Sequence, residues 1–114
     1  MFLKKFIVTV LLLFMNLLPI SPVGIHTFKN KKDVIVFNLE KDVIIVGEIT
    51  YEIIEPPYHW YWDKKHMYKF CRFQCVGNNF SKVFIKLIDK EGYYIIQIYE
   101  TGKERKDYYC RKVW

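Results

Sequence analysis

The sequence predicts an all-β, mainly antiparallel fold: a small six-strand meander forming a sandwich or partly open barrel, preceded by an N-terminal hydrophobic signal or anchor helix. Three observations carry that expectation. From Lys31 onward, runs of Ile, Val, Tyr and Phe recur at the length and spacing of strands. Within the runs, apolar and polar residues alternate with period two, as on a strand with one wet side. Proline, glycine and charged clusters separate them.

The N-terminus comes first. MFLKK is a short basic start, and Phe6 to Ile20 is apolar apart from Thr9 and Asn16. A basic start followed by such a run has the pattern of a secretory signal peptide over residues 1–24. The apolar run partitions into the translocon while Lys4 and Lys5 stay on the cytoplasmic side. Pro19 and Pro22 fall where a signal peptidase prefers small residues, so an uncleaved anchor is the alternative. No acid, Lys or Arg occurs from Phe6 to Phe28, enough chain to cross a hydrocarbon core of roughly 30 Å. Residues 25–114 then form a single β-rich domain, secreted or held at the cell surface as a single-pass membrane protein.

The strands follow in order. KKDVIVFNL places Ile35, Phe37 and Leu39 on one side and Val34 and Val36 on the other. VIIVGEITYEII reads as one strand, with Val43, Ile45, Ile49, Tyr51 and Ile53 sharing a face and Gly47 marking a bulge. Pro56-Pro57 ends it, because proline has no N–H to give a ladder. An extended loop leads into MYKFCRFQCV from Met67, followed by KVFIKLID and GYYIIQIYE. Asp89-Lys90-Glu91-Gly92 is a hairpin signal between the last two of these. TGKERKD is a longer charged loop before DYYCRKV. With six strands and about 90 residues, an internal ligand cavity would cost core that a domain of this size needs.

Charge excludes some function classes. Without its first 24 residues the chain keeps 16 Lys+Arg against 12 Asp+Glu, a net +4, since Lys4 and Lys5 are the only charges removed. That mild excess, together with export, argues against a nucleic-acid partner. Six acids fall between Asp33 and Glu55, and six bases between Pro56 and Lys86, so the two halves carry opposite sign.

Cysteine usage follows from export. Outside the cytosol a small domain gains from a disulfide, and a Cys75–Cys110 bridge is expected to contribute about 3–4 kcal/mol. Cys71 is then the odd thiol, open to a disulfide-linked dimer. Asn79-Phe80-Ser81 is an N-x-S acceptor, so Asn79 could carry a glycan in a eukaryotic pathway.

The chemistry-bearing stretch is EPPYHWYWDKKHMYKFCRFQC, Glu55 to Cys75. Tyr58, Trp60, Tyr61 and Trp62 beside Lys64 and Lys65 read as an exposed aromatic and basic contact surface, since Trp and Tyr present large rigid areas at low entropy cost. The competing reading is packing, because 18% aromatic content gives a small sheet the bulk to fill its core. His59, Asp63, His66, Cys71 and Cys75 are potential metal ligands, but their spacing matches no standard zinc site. No G-x-S-x-G, H-E-x-x-H or phosphate-cradling glycine loop occurs. Glu48 with Glu52, or Cys71 with His66, could be drawn as catalytic pairs only without support from spacing. The sequence thus points to a non-catalytic binding protein with no cofactor or metal, engaging a protein or glycan outside the cell. A membrane-tethered accessory protein is the alternative, and a metal-dependent enzyme the third reading.

Overall fold

The computed structural model describes residues 24–55 and 60–113. The leader or anchor segment, Tyr58 and His59 lie outside them. The fold is all-β and antiparallel, as expected, but the described residues form nine strands rather than six, all in one sheet. They are β1 (Ile25–Lys29), β2 (Val34–Asn38), β3 (Val43–Val46), β4 (Ile49–Glu55), β5 (Tyr61–Asp63), β6 (Tyr68–Val76), β7 (Lys82–Asp89), β8 (Tyr94–Glu100) and β9 (Lys106–Lys112). No helix among the described residues is long and apolar enough to cross a membrane.

The sheet closes on itself. Neighbours run β4-β3-β2-β1-β9-β8-β7-β6-β5, and β4 pairs in addition with β6. Eight strands therefore form a ring, joined at β1–β9 through Phe28 opposite Lys112 and Lys29 opposite Arg111. The other seam sets Ile53 opposite Cys75 and contains a bulge between Ile53 and Glu55. Short β5 lies along the same edge of β6 as β4, further toward the start of β6: Tyr61 faces Phe70, whereas Glu52 faces Val76. Closure removes the exposed sheet edges that would otherwise template aggregation.

Three differences from the sequence reading produce the extra strands. β1 begins at Ile25, inside the run free of acids, Lys and Arg from Phe6 to Phe28, which hides its boundary. The Val43–Ile54 run folds back on itself: Val46 faces Ile49, and Gly47-Glu48 is a two-residue hairpin loop, not a bulge. Gly47 has φ +60°, a conformation that costs glycine nothing and suits the first place of such a turn. The face assignment changes with it, since Ile44 and Val46 are buried together with Tyr51 and Ile53. The third addition, β5, occupies the stretch read as a loop.

Elsewhere local chemistry sets the turns. Asn30 Oδ1 accepts hydrogen bonds from the backbone N–H of Lys32 and of Asp33, closing the β1–β2 connection. Asp89 faces Tyr94 across the expected hairpin, where Glu91 has φ +55° and Lys90 N–H donates to Tyr93 O.

Alternation points one set of side chains into the ring. Phe28, Ile35, Phe37, Ile44, Phe73 and Ile85 are fully or almost fully buried there. Phe37 meets Phe28 edge-on at 5.3 Å and Phe73 at 5.1 Å, contacts worth about 0.5–1.5 kcal/mol each beyond area burial. Eight strands would be enough for a small-ligand barrel, but here Phe28, Phe37 and Phe73 pack edge-on against one another inside the ring.

The cysteines are a correction. Cys71, Cys75 and Cys110 are buried free thiols, and the expected Cys75–Cys110 bridge is not formed. Cys75 on β6 and Cys110 on β9 have β7 and β8 between them. The register also offsets them: Cys75 lies in the row of Val83 and Glu100 and Cys110 in that of Tyr94, six residues or about 20 Å along β8, beyond the about 7 Å Cα–Cα reach of a disulfide. Burial pushes the Cys71 and Cys75 thiols up to about 12 and Cys110 up to about 11. At neutral pH they are protonated, poor nucleophiles. Alkylation in denaturant without reductant is therefore expected to label all three cysteines, and almost none in the folded protein. A mass showing one label instead would mean that two thiols are bridged.

Candidate functional site

The aromatic segment does not form one platform. β5 alternates, so Tyr61 and Trp62 project to opposite sides of it. Trp60 is half-buried and packs against the interior cluster. Trp62 is 50% exposed and borders a hollow of about 160 Å³ with Met67 and Lys69. Tyr61 stacks on Phe70 at 5.6 Å on the outer face. Lys64 and Lys65 are exposed in the turn between β5 and β6. That turn is held by His66, whose backbone N–H donates to Asp63 Oδ1 at 3.0 Å and whose ring pairs with Oδ2 at 3.0 Å. Hydrogen bonds from His66 hold the Asp63 carboxyl down at about 2. Asn79, first residue of the N-x-S triplet, is exposed in the 3-10 turn Asn78–Phe80 between β6 and β7, at φ +60°.

The residues read as metal ligands are not brought together. Asp63 and His66 pair with each other in the exposed turn, whereas Cys71 and Cys75 point into the ring. Among the described residues, no group of three His, Cys, Asp or Glu could hold a metal ion. Glu48 lies in the β3–β4 turn and Glu52 on β4, so they do not share one strand.

The larger surface feature lies on the outside of β6, β7 and β8, and sequence reasoning missed it. The register sets its side chains in three rows across the strands. In one row Phe84 faces Tyr99, with Gln74 on the other side of Phe84. In the next, Arg72 faces Lys86, and Lys86 faces Gln97. In the third, Phe70 faces Ile88 and Ile88 faces Ile95, with Tyr61 beyond Phe70. Ile88 is only 2% exposed although alternation puts it outside, so this wall covers an apolar patch of its own.

Cations lie over the rings throughout. Lys86 Nζ sits 4.4 Å from the Phe70 centroid and 5.1 Å from that of Tyr68, and donates a hydrogen bond to Tyr68 Oη at 3.0 Å. Arg72 lies 5.5 Å from the Phe84 centroid, and Arg105 lies 5.9 Å from that of Tyr99. Such contacts favour a positive charge by about 0.5–1 kcal/mol at exposed sites. Phe70, Arg72, Phe84, Lys86 and Tyr99 enclose an open hollow of about 330 Å³.

The sequence signal for this wall was present in the alternate positions of three strands. Only the register joins Arg72, Phe84, Lys86 and Tyr99, which are up to 27 positions apart. Compared with known protein families, curated proteins and solved structures, the chain matches none.

Proposed function

We propose that this chain is an exported, non-catalytic binding protein that engages a protein or glycan outside the cell through the aromatic and basic outer wall of β5–β8. The observation that carries the reading is the wall itself: aromatic rings and cations share a surface that is not needed to line the interior. Exposed aromatic residues beside Arg are the groups that supply most binding energy at interfaces. The buried thiols and the cluster of buried side chains in the ring favour surface contact over covalent chemistry or internal carriage. Export rests on the leader pattern alone, because no disulfide supports it. Of the residues expected from the sequence, Tyr61 borders this wall, whereas Trp62, Lys64 and Lys65 lie off it and Trp60 belongs to packing.

The test replaces both members of the outermost ring pair, Phe84→Ser with Tyr99→Ser. Capture of the secreted protein on the surface of intact cells is expected to fall by about tenfold or more, the scale of lost aromatic anchors. Undiminished capture by the folded double variant would overturn the proposal.

A further inference from the structure

Arg72 and Lys86 stand directly opposite each other on neighbouring strands, a placement that disfavours folding for two like charges. Among the described residues no carboxylate forms an ion pair with either. The acid that ends their row, Asp107, is already paired with Arg105 at 2.8 Å. Rings flank the pair on both sides, Phe84 and Tyr99 in one row and Phe70 in the other. Two uncompensated cations between flat apolar faces form a receptor for an anionic group attached to a flat, weakly polar body.

Resting on the binding reading above, we infer that this hollow holds an acidic sugar unit of a glycan, its sulfate or carboxylate between Arg72 and Lys86 and its C–H face on Phe84 and Tyr99. The Arg72 guanidinium offers the planar fork that matches such oxyanions, and the Lys86 ammonium offers a point charge. Sugar C–H bonds carry slight positive charge and suit the negative face of an aromatic ring. The hollow of about 330 Å³ fits one or two sugar rings. An extended acidic peptide fits less well. β6, β7 and β8 are each paired on both sides, so the wall has no free strand edge for a peptide backbone to join.

The experiment is calorimetric titration of the full secreted protein with a heparin hexasaccharide. Parallel titrations use a neutral cello-oligosaccharide, an oligothymidylate and an oligoglutamate. Heparin is expected to bind, the neutral sugar not measurably, and the other two polyanions at least about tenfold more weakly than heparin. Arg72→Gln and Lys86→Gln should each weaken heparin binding by about tenfold, the scale of one charge-assisted hydrogen bond. Lys64→Gln with Lys65→Gln, in the exposed turn, should change it by less than about twofold, since exposed charges outside the site act only through screened attraction. Circular dichroism confirms that each variant is folded. Equal losses at the turn and the wall, or equal affinity for oligothymidylate or oligoglutamate, would show attraction of any polyanion and overturn the inference. If heparin does not bind while cell-surface capture still depends on Phe84 and Tyr99, the acidic-sugar assignment falls and the binding wall stands.

Discussion

Phe37→Ala is expected to remove about 3–5 kcal/mol of folding stability, the cost of deleting a fully buried ring and leaving its cavity. Phe37 is wholly buried and joins Phe28 on β1 to Phe73 on β6, so it bridges the two halves of the ring. Domains of this kind have a total stability of about 5–15 kcal/mol, so the variant should lose a large share of it. Equilibrium urea unfolding checks this: the midpoint should move sharply with the slope unchanged. A loss below about 1 kcal/mol would mean that the interior is looser than the aromatic contacts imply.

Gly47→Val is the second large effect, expected to cost about 1–3 kcal/mol because a β-branched residue is forced to positive φ. Space is not the obstacle, since an added Cβ meets only Asp33 Oδ1 at 3.4 Å. The backbone is, for Gly47 has φ +60° and its N–H donates to Val34 O at 3.1 Å, tying the hairpin to β2. Glu48→Val, next to it, is exposed and outside the positive-φ region, and should shift the urea midpoint by less than about 0.5 kcal/mol equivalent. Equal effects at the two positions would contradict the tight turn.

The same hairpin shows why the fold was only partly legible. Strand character came through wherever apolar and other residues alternate between clear turn signals. Ile35, Phe37 and Leu39 face inward as the pattern requires, and the Asp89–Gly92 segment turns the chain. VIIVGEIT offers no such punctuation, because one glycine fits a bulge or a turn equally well. A two-residue turn also reverses the parity of inward positions, so Ile44 and Val46 replaced Val43 and Ile45 as core. The cysteine pairing failed for a related reason: spacing along the chain says nothing of how many strands stand between two thiols.

The candidate site divides similarly. Composition points to aromatic and basic residues, the chemistry of the proposed contact surface, and Tyr61 and Trp62 are exposed. The densest stretch of such residues was nevertheless not the main surface, because β5 splits it between two sides. Arg72, Phe84, Lys86 and Tyr99 look like ordinary outward positions of three separate strands until the register sets them side by side.

In the proposed division of roles the outer wall serves binding while the ring interior carries the fold. The most direct measurement is urea unfolding of the Phe84→Ser, Tyr99→Ser double variant. Phe84 is half-buried and Tyr99 38% exposed, so a loss of no more than about 1–2 kcal/mol per ring is expected, against about 3–5 kcal/mol for the single ring of Phe37. A loss per ring as large as that from Phe37→Ala would make these rings a second core and contradict the proposed division.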